Sequence, residues 1–532
     1  MVSLLSSLNM TANTLSVNEK AISVVSHNVA NMNTEGYHKQ RVTRNIAGAI
    51  GNNVNNQIKA NGGVKIANVI RYNDEYLNNY YRTQLSEQSK LGQQLDGLGD
   101  LASILNDLEG TGIDGALSDF YEALNNLNEY PASSTARINF IETAKTLTST
   151  MNSKYQQLQE NTTKALGDGV SQESLENSKI YVQYRELNNK LEELASVNKA
   201  LITTQTGTLE ANNLLDKRDL ILNEIAEFTD IKVVEKHNGA VNLYIGDTAV
   251  VKCAEVTGKL EIQTAKSYCD SQNPPIAYPD DWDGENAVIS IVNPETGEVI
   301  NKNANADITS GALGGLLHFA TDNGDGENGI NAGTVMKGLD KLAQSIADIF
   351  NDLNTRNGAY CINPDDTTKL QATTADNLIF VGADGTGQGI TAGNIQINSD
   401  LLTDDGCWKI ACAYFGDPAT NFDENAIGNA QNVVDMLGTR TQKIADLDGM
   451  SLEDFYTGLV GKVASAGSNI QSLYDTQSEV INSIESKIKD ATGVDLNEEL
   501  VDLVKYQTAY SAAAQVFNTC NSCLDVLMSL GG

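Results

Sequence analysis

Residues 8–37 read LNMTANTLSVNEKAISVVSHNVANMNTEGY, a stretch that begins as a helix and ends as a turn. Leu8, Leu15, Ile22 and Val29 recur every seven residues, with Leu5, Ala12 and Val25 on adjoining positions. A seven-residue apolar repeat keeps one narrow seam facing a partner along a helix, which is the requirement of a coiled coil. The apolar period stops near Val29. Asn31, Asn33 and Thr34 favour a turn, and Gly36 can supply a left-handed cap.

The far end of the chain matches it in kind. Leu503, Tyr506, Tyr510, Ala513, Phe517, Cys520, Leu524 and Leu527 step by three and four without a break. The two seams are expected to pair as a terminal coiled coil built from residues 1–45 and 490–532. Two amphipathic helices lying on an ordinary core is the reading that periodicity alone leaves open. Ordering a residue costs about 1–2 kcal/mol in backbone entropy, and these seams are narrow. The ends are therefore expected to stay mobile until partner chains cover them.

Between the ends the period changes twice. Residues 84–129 and 135–228 carry Leu, Ile and Tyr at helical spacing, as in Leu187, Leu191, Leu194 and Leu201. Pro131 and the small residues after it break the zone. From 229 the pattern alternates. Val233, Val241, Leu243 and Ile245 flank His237-Asn238-Gly239, a hairpin signal because Asn-Gly accepts positive φ. Short strands are expected at 248–252, 258–263 and 287–292. A helix from Thr334 to Asn354, a second alternating stretch over 360–416, and helices from Asn425 complete the order. The expected fold is mainly α with β insertions (α+β). Residues 46–228 with 330–357 and 425–489 would form a long helical rod. Residues 229–329 would form a β-rich outer domain, and 358–424 a second β-rich insertion.

Lys and Arg number 36 against 69 Asp and Glu, a formal net charge of −33. A phosphate backbone or an anionic membrane would be repelled, so neither nucleic-acid binding nor membrane insertion is expected. No apolar run approaches the ~20 residues that span a bilayer. Residues 1–19 lack the basic and apolar regions of a cleaved secretory signal. Seven cysteines, an odd count, form no evident disulfide framework.

Candidate chemistry is sparse. His27, His38, His237 and His318 are not at metal-ligand spacing, and His38 and His237 are expected at the surface. The Gly382–Gly389 run would need a following helix to cradle phosphate, and the alternating residues 390–397 follow instead. The acidic residues 322–327 lack the spacing of a calcium loop. Cys520 and Cys523 have redox or zinc spacing but sit within the last helix, where packing inside the bundle is expected. No catalytic residue, cofactor site or metal site is expected, and the chain is not expected to be an enzyme.

The stretch Ser26 to Tyr37 resembles the signature of the flagellar rod, hook and hook-associated axial proteins. That signature reads Asn-Ile-Ala-Asn followed by Asn-Thr-Pro-Gly-Tyr. Asn28, Ala30, Asn31, Asn33, Thr34, Gly36 and Tyr37 match it, and Glu35 stands where the proline usually does. Gly493 to Leu500, then Tyr506 to Tyr510, resembles the C-terminal end of the same family, with Asn497 in place of its usual Asp. Two internal stretches narrow the resemblance to the hook-associated members that join hook to filament. They are Asn213-Leu-Leu-Asp216-Lys-Arg218-Asp219 through Gly246, and Gly311 to Leu317 with Leu339 to Ala343 and Phe350-Asn351.

The resemblance implies a structural subunit of the hook–filament junction, required for filament assembly. It implies export in an unfolded state by the flagellar type III system, without cleavage, to an extracellular place on the flagellum. Implied partners are a ring of identical copies, the hook protein, the second junction protein and a flagellar export chaperone. Leu8, Leu15, Ile22, Val29, Leu503, Tyr510, Phe517, Leu524 and Leu527 would form the assembly interface. The competing readings are a hook or rod subunit, or an exported adhesin or enzyme whose activity sits in the β insertions.

Overall fold

A computed structural model describes residues 2–46, 64–105, 112–236, 238–278, 285–320 and 329–529. The first helix, α1 (Val2–Asn31), is followed by an antiparallel hairpin of β1 (Gln40–Ile46) and β2 (Val64–Arg71), with Gln40 opposite Arg71. This hairpin corrects the sequence reading, which began the helical rod at residue 46. Val64, Ile66 and Val69 supply a weak strand pattern that one short segment does not distinguish from a loop.

The helices α2 (Glu75–Leu105), α3 (Ile113–Glu129) and α4 (Ser134–Leu166) follow. The break at Pro131 holds: α3 stops at Glu129, and the Ser133 side chain caps α4 by accepting from Ala136 N. After α5 (Gln172–Glu176) come α6 (Lys179–Thr203) and α7 (Leu209–Phe228). The hairpin after residue 229 is present as β3 (Lys232–Glu235) and β4 (Val241–Ile245), turned by Gly239 at φ 84°. Two further strands, β5 (Thr248–Lys252) and β6 (Glu255–Val256), complete a four-stranded sheet in order 3-4-5-6. A second sheet of β7 (Lys259–Thr264), β8 (Ala287–Val292) and β9 (Val299–Asn301) follows, with α8 (Ala265–Ser271) between its first two strands.

The chain returns through α9 (Gly311–Ala320) and α10 (Ala332–Thr355). Asn331 and Thr334 cap α10 reciprocally. The second insertion holds β10 (Ala359–Asn363), β11 (Asp366–Ala372), β12 (Phe380–Val381), β13 (Gln396–Ile397) and β14 (Ala413–Tyr414). The glycine run from 382 is a turn between β12 and β13. Residues 390–397 are less regular than their alternation suggested, because a turn at 391–394 leaves only a two-residue strand. The acidic stretch 322–327 and His237 lie outside the described residues. Helices resume with the single turn α11 (Pro418–Asn421), ahead of the expected Asn425, and with α12 (Gln431–Gly438) after it, and end with α13 (Leu452–Thr492) and α14 (Leu496–Ser529).

Two large apolar cores organise the chain. One joins α3, α4, α10 and the start of α13 to Phe380 and its neighbours, and the rings of Phe120 and Phe350 meet edge-to-face at 4.9 Å. The other joins α6, α7 and α9 to both sheets of the first β region. The boundary expected at residue 228 therefore runs through a core. All six residues of β8 are buried, so this central strand is covered on both faces, and Leu187, Leu191, Leu194 and Ile225 lie in the same core as Ile289. A third cluster, at the chain ends, contains Ala21, Val24, Val25, Val42, Val69 and Tyr506. Among the described residues no helix is long and apolar enough to cross a membrane.

Candidate functional site: the paired terminal helices and their polar hinge

α1 and α14 pack along each other, as the seams require. The buried face of α1 is centred one register away from the heptad read in sequence. Thr11, Val17, Asn18, Ala21, Val24, Val25 and Asn28 are buried, whereas Leu8, Leu15, Ile22 and Val29 are half-buried along its flank. The register differs because α1 faces β1 and β2 as well as α14, and two partners at an angle shift the burial maximum away from a two-helix seam. On α14, Tyr506 and Ala513 are buried, and Leu503, Phe517, Cys520 and Leu524 are half-buried. Tyr510 and Leu527 are exposed, and so are Leu500, Val501, Val504, Val516, Val526 and Met528. Cys523 is exposed too, which corrects the expectation that it packs inside the bundle.

At the foot of this pair the signature residues form a hydrogen-bonded hinge. Asn28 is buried with its side-chain capacity filled. Its Nδ2 donates to the Gln40 carbonyl and to Glu499 Oε2, both at 2.9 Å. Its Oδ1 accepts from Gln40 N at 3.1 Å and from the Tyr37 hydroxyl at 2.7 Å. One amide thereby ties the end of α1 to β1 and to α14, which no apolar residue could do. Since the Tyr37 hydroxyl gives its proton to Asn28, the His27 Nδ1 lying 3.0 Å from it must be the donor of that pair. Burial, with the nearby Asp216 and Glu499 carboxylates, holds the Tyr37 hydroxyl well above its usual range, so it stays protonated.

The turn is made by the other signature residues. Thr34 N donates to the Asn31 carbonyl, Asn31 Nδ2 to the His27 carbonyl, and Tyr37 N to the Thr34 carbonyl. Gly36 takes φ +71°. Ala30, Asn33 and Thr34 are exposed and hold nothing across the hinge. Just before β1, Lys39 N donates to the Thr492 carbonyl at the end of α13, and Lys39 Nζ lies 2.5 Å from Glu498 and 3.4 Å from Glu499.

A charge cluster carries the hinge onto the rest of the chain. His38, expected at the surface, is buried, with Nδ1 2.8 Å from Asp216 Oδ1. Arg71 of β2 donates to Asp216 at 2.6 Å and to Asp219 at 2.7 Å. Arg82 of α2 reaches Asp219 at 3.1 Å and Asn223 at 3.0 Å, and Arg218 also pairs with Asp219. Burial alone would raise the Asp219 carboxyl, but Arg218, Arg71 and Arg82 outweigh it and hold the group well below the usual carboxylate range. Asn212 extends the same face of α7, donating to Gln40 Oε1 and to the Val69 carbonyl. The residues at 212, 216, 219 and 223 follow helical spacing, so one polar stripe of α7 meets β1, β2 and α2. That stripe was a legible signal; its partners Gln40, Arg71 and Arg82 carried none.

Nothing at the hinge is arranged to move a proton or bind a small molecule. The shallow depression against it holds only about 20 Å³ of free space, enough for one water. Among the described residues no group of three or more His, Cys, Asp or Glu is placed to hold a metal. What the arrangement does is orient two helices against a third unit.

Known proteins resemble this chain. The flagellar hook-associated protein FlgK helical domain matches residues 98–360. The flagella basal body rod protein family matches residues 8–38, and the C-terminal family of the FlgEFG basal body rod proteins matches 490–530. Flagellar hook-associated protein 1 of Bacillus subtilis is 24% identical over 97% of this chain and 97% of its own length. Its namesake in Salmonella typhimurium is 24% identical over 98% and 99%, and that of Escherichia coli is 22% identical over the same shares. The solved structure of the flagellar hook junction protein FlgK from Burkholderia pseudomallei aligns with TM-score 0.53 at 13% identity, covering 77% of this chain and 99% of that one, a likeness of fold.

Proposed function

The chain belongs to the flagellar hook-associated protein 1 family, a structural subunit of the hook–filament junction, and on that premise we propose how its terminal helices serve assembly. The observation that carries the reading is the outward face of α14. Val501 is 68% exposed and Val504 62% exposed, on a helix whose opposite face already packs on α1. Valines at that exposure along a paired helix suit a surface that neighbouring subunits cover.

In this reading Leu8, Leu15, Ile22, Val29, Leu503, Tyr510, Phe517, Leu524 and Leu527, with the valines between them, meet the same helices of identical copies and of the hook protein. The β-rich regions within 229–329 and 358–424 face outward, and the helices from Glu75 onward, of which α6 and α7 share a core with the first β region, connect them to the axis. The chain is exported unfolded through the flagellar type III route with a chaperone, takes its place outside the cell, and carries the second junction protein. Its role is structural and it catalyses nothing.

The test is a chain carrying Val501→Asp and Val504→Asp, introduced into a strain that lacks the protein. Both positions are solvent-exposed in the single chain, so the thermal midpoint should stay within about 1 °C, since exposed substitutions change stability little. The variant should be secreted into the medium while hooks remain without filaments. Normal filaments on those hooks would overturn the reading.

A further inference from the structure

Away from the hinge, the second β insertion holds a buried cation that no carboxylate answers. Arg137 of α4 is 1% exposed. Its Nε donates to the Pro131 carbonyl at 2.8 Å, and Nη1 donates to the carbonyls of Cys407 at 3.2 Å and Ile410 at 2.8 Å. Nη2 donates to Sγ of Cys412 at 3.0 Å. Among the described residues no carboxylate pairs with it. Buried charges normally have an opposite charge beside them, and of these four acceptors only the sulfur can carry a full negative charge.

The strand register supplies the second half of the site. β10 and β14 pair antiparallel, with Ala359 opposite Tyr414 and Tyr360 opposite Ala413. The ladder ends there, and one further step of its register would set Cys361 opposite Cys412, the residue just before β14. Cys361 is close enough to act electrostatically on the Cys412 thiol. Phe415 N donates to the Gly358 carbonyl, and hydrogen-bonded and non-bonded pairs alternate from there. Continued one step past the ladder, that alternation makes Cys361 and Cys412 a non-bonded position, the kind at which Cα atoms stand about 4.5 Å apart and side chains approach most closely. A disulfide accepts Cα separations of about 4.4–6.8 Å. The Cys412 carbonyl is turned away and accepts from Asn432 N at 3.0 Å.

On the other side of β10, Gln371 stands opposite Cys361, and its Nε2 donates to Cys361 Sγ at 3.6 Å. Both sulfurs are therefore acceptors of an N–H, and both are buried. Burial pushes the two thiols up, against a downward pull from Arg137 on Cys412 and from Gln371 and Arg137 on Cys361. Cys407, the third thiol nearby, offers Arg137 its carbonyl.

We propose that Cys361 and Cys412 are a cross-strand redox pair that closes to a disulfide, with Cys412 as the attacking sulfur. The co-reactant is a small disulfide such as oxidised glutathione. The Cys412 thiol gives up its proton to solvent, and the thiolate beside Arg137 attacks one sulfur of the small disulfide, forming a mixed disulfide and releasing one thiolate. The Cys361 thiol then loses its proton and attacks Cys412 Sγ, expelling the second. Two protein thiols and one disulfide become one protein disulfide and two small thiols, so atoms and electrons balance. The bond closes a loop that contains β12 and β13 and fixes β14 to β10. Because both sulfurs are buried, exchange takes place while the strand pair is still forming or is locally open.

The full-length chain is refolded from urea with either oxidised or reduced glutathione, then analysed by intact mass, peptide mapping and thermal unfolding. With oxidised glutathione the mass should fall by two hydrogens, and the map should join the peptides containing Cys361 and Cys412. The thermal midpoint should exceed that of the reduced chain by several degrees, a gain that Cys361→Ala abolishes. Where refolding is poor, the same map on native protein held in sub-denaturing urea with oxidised glutathione gives the answer without unfolding. Natively folded chain with both thiols still free after that treatment, or a bond from either cysteine to Cys407 or another thiol, would overturn the proposal.

Discussion

The aromatic core of the rod and the hinge beneath the terminal helices are both buried, but they are built from opposite materials. Phe120, Phe140, Phe350 and Phe380 pack ring against ring, and the cluster around them spans helices from α3 to α13. The hinge rests on a small apolar cluster and is otherwise a mesh of Asn28, Gln40, Glu499, His38, Asp216, Asp219 and three arginines. Apolar packing is non-directional and grows with area, so it makes a core that folds without help. Hydrogen bonds and ion pairs contribute little net stability but fix direction, and their loss is expensive when a buried partner is stranded. The rod therefore supplies stability, and the hinge supplies an angle between the terminal pair and everything else.

Removing a ring from the rod should have the largest effect. Phe350→Ala is expected to cost about 3–5 kcal/mol. Urea unfolding would record it as a shift of the main transition. A loss confined to proteolytic release of the chain ends would erase the distinction between the regions.

Asp219→Ala comes next and probes the hinge at its most charged point. It removes a carboxylate shared by three buried arginines. Arg71 keeps Asp216 and Arg218 keeps Glu235, but Arg82 is left without a carboxylate among the described residues. Breaking a buried ion pair in this way costs about 3–5 kcal/mol, part of which local opening can relieve. The same residue sets a pH dependence. Its folded value lies below the unfolded one of about 3.9, so its contribution is fully present above that pH and is lost as the pH falls through the folded value. Urea midpoints measured between pH 7 and pH 3 should show a fall below about pH 4 that is shallower in Asp219→Asn. Parallel curves for the two chains would remove Asp219 from the account.

Asn28→Ala should cost less, about 1–3 kcal/mol, by leaving Gln40 N, the Tyr37 hydroxyl and Glu499 short of partners. Limited proteolysis should release the ends of this variant sooner than those of the native chain, with the main unfolding transition unmoved. If that transition moves as far as it does in Phe350→Ala, the hinge belongs to the stability core. Smallest of all is Gly36→Ala. The added Cβ would meet Leu220 at 3.6 Å, an ordinary contact, so the cost is that of left-handed backbone, about 1–2 kcal/mol. Calorimetry that resolves the transition of the terminal pair would register it.

Some of this contrast was legible in the chain itself. The heptad of α1, the steps of three and four in α14, the Asn-Gly hairpin and the change of period at 229 are local patterns, and local patterns survive without tertiary information. Asn28 was legible as a signature residue, though its four bonds were not, because Gln40 and Glu499 lie 12 and 471 residues away. His38 was misjudged for the same reason: its neighbours in sequence are polar, while its neighbours in space are the Asp216 carboxylate and the Arg71 guanidinium.

By itself, then, the sequence determined most of the helices, the hairpin after residue 229, the paired apolar ends, the two β insertions and the absence of a recognisable catalytic motif, because each rests on periodicity or turn chemistry within a short window. The β1–β2 hairpin escaped it. Tertiary structure alone decided which face of α1 is buried, that α6 and α7 share a core with the first β region, and that the stripe on α7 clamps the hinge. Those outcomes depend on which surfaces meet across hundreds of residues. Burial and charge pairing are properties of such meetings, and no stretch of chain carries them alone.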